Sequence, residues 1–240
     1  MHVIEFHGAD AKPVGSRAAG HPVDPISEIL EAATLLVGNR PVLLAAGSYV
    51  LATAHLLEQD PLVWHEESAG LYHWVQLNAI LVQDRMLEPS GLWLYQVQPN
   101  EGEKAETSGN KVTSNELRIR LLEFRAELCK AGLAQVRRHL SGRISGGQLT
   151  FQHQLVKGMV ADILTTLYMA ETLPEDRFLS ANSGIPTERV HAWIHHELDE
   201  AFRLIQRLGG GFGFLRQGVS AYTYAGQLVK NVLLPRKEDY

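Results

Sequence analysis

Two long stretches of helical periodicity flank a short glycine-rich turn, and no other feature constrains the fold as strongly. Over about 115–141, Leu117, Leu121, Phe124, Leu128, Leu133, Val136 and Leu140 recur at helical spacing. Residues 141–147, SGRISGG, form the turn, and a second helix is predicted over about 148–172, stopping before Pro174. Thr187 caps a helix over about 188–208 that Gly209, Gly210 and Gly211 end, and a last one covers about 215–233 before Pro235. The C-terminal part, 115–234, is therefore expected to be a four-helix bundle.

The rest of the chain is read the same way. Residues 1–24, rich in Gly, Pro and Ala, read as a flexible arm with a short strand at Val3–Phe6. Asp24 and Pro25 open a helix over about 25–37, ended by Gly38. A second helix is expected over about 40–58, apolar around most of its circumference, and a third over 61–87. Leu92–Val97 reads as an isolated strand, and 98–114 as a polar linker. The expected fold is all-α: an N-terminal helical region, 25–97, with little or no β-domain, ahead of the bundle.

Composition sets outer limits. With 45% hydrophobic and 20% charged residues the chain is ordinary globular protein. A net charge of −5 gives no general attraction to nucleic acid. No run reaches the roughly 18 apolar residues of a membrane helix, and the start lacks the basic and apolar regions of a signal peptide. Cys129 is the only cysteine, so no intramolecular disulfide is possible and a reducing, cytoplasmic location is expected; on an apolar-leaning helix it reads as an inert core thiol.

Chemistry is suggested first by the turn. Gly142, Gly146 and Gly147 allow close approach of a ligand to the backbone, Arg143 offers a bidentate phosphate partner, and the following helix exposes unpaired N–H groups. Taken alone, such a turn more often just links two helices. The second glycine cluster, 206–214, QRLGGGFGF, taken alone is a helix end and a flexible turn. His191, His195 and Asp199 share one helix face and His196 pairs with Glu200, but H-E-x-x-H is absent and no metal site is expected. Arg118, Arg120, Arg125, Lys130, Arg137 and Arg138 read mostly as a solvated face.

Together the two clusters carry a family resemblance. The run 143–154, RISGGQLTFQHQ, resembles the R-x-T/S-F-G-x-x-L-x-x-x-Q turn of acyl-CoA dehydrogenases, and QRLGGGFGF resembles their Q-x-x-G-G-x-G-F turn. The helix over 115–141, with Gly132, Leu133 and Ala134, resembles the first helix of that family's C-terminal domain, so the likeness covers roughly 115–234. It implies FAD shared with a neighbouring subunit. Arg143 and Ser145 would meet the diphosphate, His153 and Gln154 would border the flavin nucleotide, and Gln206, Gly209 and Gly210 would meet its far portion. It also implies assembly through the bundle, as a homo-oligomer or with a full-length acyl-CoA dehydrogenase, around an acyl-type small molecule.

The departures shape the functional expectation. Gly146 stands where the family has an aromatic residue, and the last helix has no carboxylate to act as the family's base. Some members carry that base on the first helix at a position near Leu117, one residue from Glu116. The expected function is a subunit that completes a partner dehydrogenase's FAD and acyl-thioester site without supplying the base. The alternative is a non-redox enzyme, a cyclase, isomerase or eliminating enzyme, acting on an acyl or polyketide-type substrate. Glu116, His153, Tyr222 and Tyr224 are its acid–base candidates. A third reading is an interaction protein that binds no small ligand.

Overall fold

A computed structural model describes residues 25–100, 113–173, 187–215 and 218–234. The 1–24 arm, most of the 98–114 linker and the 174–187 loop, except Thr187, lie outside the described residues. The chain divides into two compact units, one of residues 1–121 with 228–240, the other of residues 122–227.

Unit 1 corrects the helical reading of 25–97. Helix α1 spans only Pro25–Ala33. Strands follow: β1 Leu35–Val37, β2 Arg40–Ala45, β3 Tyr49–Thr53, then the short helix α2 Ala54–Glu58, and β4 Leu62–His65, β5 Gly70–His73, β6 Leu77–Val82 and β7 Leu92–Pro99. One sheet has the order β1-β2-β4-β5, with β2 and β4 parallel and the other pairs antiparallel. The other has the order β3-β7-β6, all antiparallel, so Leu92–Pro99 is a central strand and not an isolated one. The expected helices over 40–58 and 61–87 are therefore mostly strand, and the expectation of little or no β-domain is overturned for this region.

The physical cause lies in burial and in two turns. Residues 41–46 are all buried, so β2 reads as an unbroken apolar run without period-2 alternation. Gly38 and Asn39, at φ 55° and 63°, close the β1–β2 hairpin. Gly47 and Ser48, at φ 54° and 62°, turn the chain between β2 and β3, where Ala46 and Tyr49 bridge. Two consecutive left-handed residues make the primed turns whose twist suits antiparallel strands. The core of this unit gathers Ile26, Leu30, Val42, Val50, Val63, Leu92 and Val97.

Unit 2 is helical, as its periodicity predicts. Helix α3 spans Ser114–Leu140 and enters the unit at Leu122; α4 spans Gln154–Thr172, α5 Thr187–Gly209 and α6 Val219–Leu228. The chain continues from α6 into a π-turn, Val229–Leu233, which belongs to unit 1. Phe124, Leu128, Ile163, Ile194, Leu198, Phe202 and Ile205 are fully buried. Gly226 lets α6 pass close to α5, because a Cβ there would lie 2.5 Å from the Phe202 ring.

Arg125 departs from the solvated-face reading. It is fully buried. Its Nε donates to the Gly226 carbonyl at 2.8 Å, its Nη1 to His195 Nδ1 at 2.8 Å and to the His195 carbonyl at 3.1 Å, and its Nη2 to Asp199 at 2.5 Å. One guanidinium thus joins α3, α5 and α6. Burial pulls the Arg125 pKa below its usual value, and the Asp199 carboxylate opposes that shift. His191 and His195 are likewise buried.

Candidate functional site

The glycine-rich turn is a β-hairpin. Ile144–Ser145 pairs with Gln148–Leu149, in register Ser145 with Gln148, and Gly146 and Gly147 form the two-residue loop at φ 58° and 81°. Glycine is the residue that adopts this conformation at least cost. Gly146, standing where the resemblance leads one to expect an aromatic, therefore has a backbone reason to be there. The hairpin is anchored at its base, where the Arg143 carbonyl accepts from the Thr150 N–H at 2.8 Å and the Thr150 hydroxyl at 3.0 Å.

His153 clasps this hairpin. Its Nε2 donates to the Ser145 carbonyl at 2.9 Å, which fixes the tautomer, so Nδ1 accepts from the Gln148 amide at 2.9 Å. Both ring nitrogens are engaged. His153 is also the residue before α4, but it gives that helix no side-chain cap, and the first turn of α4 holds no acidic residue. Exposed Gln154 opens the helix, whose N-terminal N–H groups and dipole keep their capacity for an anion.

A residue absent from the sequence-based candidates links the two glycine clusters. His139, in the last turn of α3, accepts from Arg143 Nη1 at 2.9 Å through its Nε2. On its other side its ring stacks on Phe212 at 4.0 Å between centroids and 7° between planes. Phe212 belongs to the 3₁₀ turn Gly210–Phe214 that follows α5. Arg143, His139 and Phe212 thus tie the hairpin to the second glycine turn at one end of unit 2. The signal available in the sequence was spacing: His139 lies four residues before Arg143.

The second turn is shaped by close backbone packing. A Cβ at Gly213 would run into the Gln206 carbonyl, whereas Gly210, at φ 52°, and Gly211 have nothing within 4 Å. Gly209 is buried, 3.7 Å from Val136 by the same measure, and Gln206 is half-buried. Gly142 and Gly147 also have open space around them. Open glycine backbone in both turns, an arginine and an uncapped helix start suit a diphosphate-bearing group such as FAD.

Of the acid–base candidates His153 belongs to this cluster, bonded through both ring nitrogens, whereas Glu116, Tyr222 and Tyr224 play other parts. Glu116 sits in unit 1 and is exposed, and its carboxylate accepts from the Thr113 N–H and hydroxyl at 3.0 Å each. The Glu116 N–H returns a bond to the Thr113 hydroxyl at 3.2 Å, completing a capping box at the start of α3. Tyr222 is buried against Gly132 and Tyr224 is half-buried. Two residues apart on a helix they stand about 200° from each other and face different surroundings. Cys129 is fully buried, and burial pushes its thiol up to about 12. Among the described residues no group of three or more His, Cys, Asp or Glu is placed to hold a metal, and no helix is long and apolar enough to cross a membrane.

No protein-family model and no curated protein matches the sequence. Solved structures do match the fold. A variant of the Tcur3481-Tcur3483 steroid ACAD is similar at a TM-score of 0.56 and 14% identity, over 80% of this chain and 58% of that one. The ChsE4-ChsE5 complex from Mycobacterium tuberculosis is similar at 0.51 and 12% identity, over 82% and 63%. Butyryl-CoA dehydrogenase from Megasphaera elsdenii gives 0.49 and 13% identity, over 84% and 60%. The chain spans about three-fifths of the length of these chains. Unit 2 is less than half of the present chain, so a match over 80% also takes in residues of unit 1. The chain has an acyl-CoA-dehydrogenase-like fold, mostly helical and with strands ahead of the bundle.

Proposed function

We propose that the chain is an acyl-CoA-dehydrogenase-like subunit that completes the FAD and acyl-thioester site of a partner dehydrogenase and does not supply the base. The observation that carries this reading is the Arg143–His139–Phe212 link, which unites two glycine turns with open backbone beside the uncapped start of α4. Arg143, Ser145 and the α4 N-terminus would hold the diphosphate, His153 and Gln154 would border the nucleotide, and Gln206, Gly209 and Gly210 would meet its far portion. FAD, when bound, supplies the hydride acceptor. The chain's own part is to bind and orient it.

Two further features support a partnered role. Residues 219–233 contain no carboxylate, and the Glu116 carboxylate is engaged in its capping box. The outward side of α4 presents Ala161, Leu164, Thr165 and Tyr168, with Leu164 52% and Tyr168 67% exposed. A weakly polar outer helix face suits docking against another subunit, whether a second copy or a full-length acyl-CoA dehydrogenase.

The test is a visible spectrum of the purified chain alone and co-purified with a full-length acyl-CoA dehydrogenase encoded beside it. Flavin absorbance that requires both chains, and that Arg143→Ala diminishes, supports the proposal. Absence of flavin from both samples overturns it and moves weight to the non-redox reading, in which an acyl or polyketide-type substrate binds without FAD. Co-elution in size-exclusion chromatography separates the homo- and hetero-oligomeric forms.

A further inference from the structure

Unit 1 carries a cleft that the flavin reading does not use. It lies where two tight turns meet the C-terminal π-turn. Gly47 and Tyr49 come from the β2–β3 turn, Glu66 and Glu67 from the β4–β5 turn, and Asn231 and Val232 from the π-turn, with Leu234 just beyond. Its volume, about 650 Å³, falls within the roughly 300–1,000 Å³ of small-ligand sites.

The backbone around it is specialised. Gly47 takes φ 54°, and a Cβ there would stand 3.7 Å from the Val232 carbonyl, so the turn and the π-turn approach each other closely. π-Helical segments are rare and concentrate at functional sites. This one brings Asn231 and Val232 to the cleft wall.

The lining chemistry selects the ligand. Among the described residues, no Lys, Arg or His lines the cleft. Glu66 is ion-paired with Arg118, whereas Glu67 makes no ion pair among the described residues. One carboxylate is thus left without a cationic partner, beside a phenol, a carboxamide and the apolar side chains of Val232 and Leu234. An anion would find no counter-charge among the described lining residues, so this cleft differs in its chemistry from the hairpin end of unit 2.

We propose that the cleft binds a small organic cation, a primary alkylammonium whose apolar body packs on Val232 and Leu234 while its head meets Glu67. The test is a ¹⁵N–¹H NMR titration of the full chain at pH 7 with n-hexylamine, with hexanoate and hexanol as matched probes. Saturable shifts from hexylammonium at Gly47, Glu67, Asn231 and Val232, with neither control saturating, are expected. Glu67→Gln should weaken that binding about two- to fivefold, the scale of one exposed charge pair, and leave thermal melting unchanged. Equal binding of hexanoate, shifts centred elsewhere, or an unaffected Glu67→Gln variant would overturn the proposal. So would clearly tighter binding of Nα-acetyl-lysine amide than of hexylammonium, because the cleft would then be reading a protein lysine.

Discussion

Removing the carboxylate of Asp199 tests the central claim about unit 2, that a fully buried guanidinium organises three helices. Arg125 has no exposed side-chain surface and Asp199 retains 13%. In Asp199→Ala the cation stays buried, still bonded to His195 and to the Gly226 carbonyl but without its counter-charge. Breaking a buried pair in this way costs about 3–5 kcal/mol, which for a chain of this size lowers Tm by roughly 6–20 °C. The double variant Arg125→Met/Asp199→Leu removes both charges and fills the space with apolar atoms. It orphans the Gly226 and His195 carbonyls, at about 1–3 kcal/mol each when no water reaches them, but relieves the desolvation of two ions. It should therefore be more stable than Asp199→Ala alone. The assay is urea unfolding followed by circular dichroism on wild type, Asp199→Ala, Arg125→Met, Asp199→Leu and the double variant, the last three closing the cycle with wild type that yields the coupling energy. Additive effects would refute the reasoning, as would an Asp199→Ala melt within about 2 °C of wild type.

Three other outcomes follow from the same geometry. Gly226→Ala sets a methyl 2.5 Å from the Phe202 ring and should cost about 1–3 kcal/mol; a Phe202→Leu background should recover part of that loss in thermal melts. Gly146→Ala meets only His153 Cε1 at 3.7 Å but sits at φ 58°, so a backbone cost of about 1–2 kcal/mol is expected, with Gly146→Asn milder and exposed Gly142→Ala near neutral. Cys129 should resist iodoacetamide in the native state and react once unfolded, as read by intact mass. Its folded pKa of about 12 stands above the reference 9.0. Above 9 the unfolded thiol releases its proton and the folded one retains it, so this contribution is full below pH 9 and fades as pH climbs towards 12. Cys129→Ala should flatten that slope in alkaline denaturation.

The two halves of the chain were legible to different degrees for a physical reason. Helices α3 to α6 bury one stripe each, so the 3.6-residue period survives in the sequence; α3 and α5 come out within a residue of their observed ends, whereas α4 starts at Gln154 instead of 148, after a strand and a 3₁₀ turn, and α6 at Val219 instead of 215. In β2 and β3 nearly every residue is buried, the period-2 signal vanishes, and a short apolar run is indistinguishable from a core helix by periodicity alone. The decisive signals are Gly38–Asn39 and Gly47–Ser48, two-residue hairpin loops between apolar runs; the helical reading makes the first a helix end and runs the expected 40–58 helix through the second. Arg125 departs from the mostly solvated face because its position outweighs its charge. It lies four residues after Leu121 and four before Cys129, inside the apolar stripe, and a cation placed there needs a buried partner. His195 and Asp199, four apart on α5, are that partner rather than a metal pair.

The hairpin end of unit 2 brings two segments distant in sequence into contact. Sequence order alone set Arg143 and the 206–214 turn about sixty residues apart, with only a resemblance to relate them. His139 supplies a physical relation, since its ring stacks on Phe212 while its Nε2 accepts from Arg143. An imidazole that accepts a proton-bearing partner must be neutral at that nitrogen. Losing that acceptor therefore loosens the arginine that the proposed diphosphate contact requires. If the two turns act together, His139→Phe keeps the stack on Phe212 but loses the grip on Arg143, and flavin retention in the two-chain mixture should fall with it while the melting of unit 2 holds. Equal flavin retention in His139→Phe and wild type would mean that the link is packing alone.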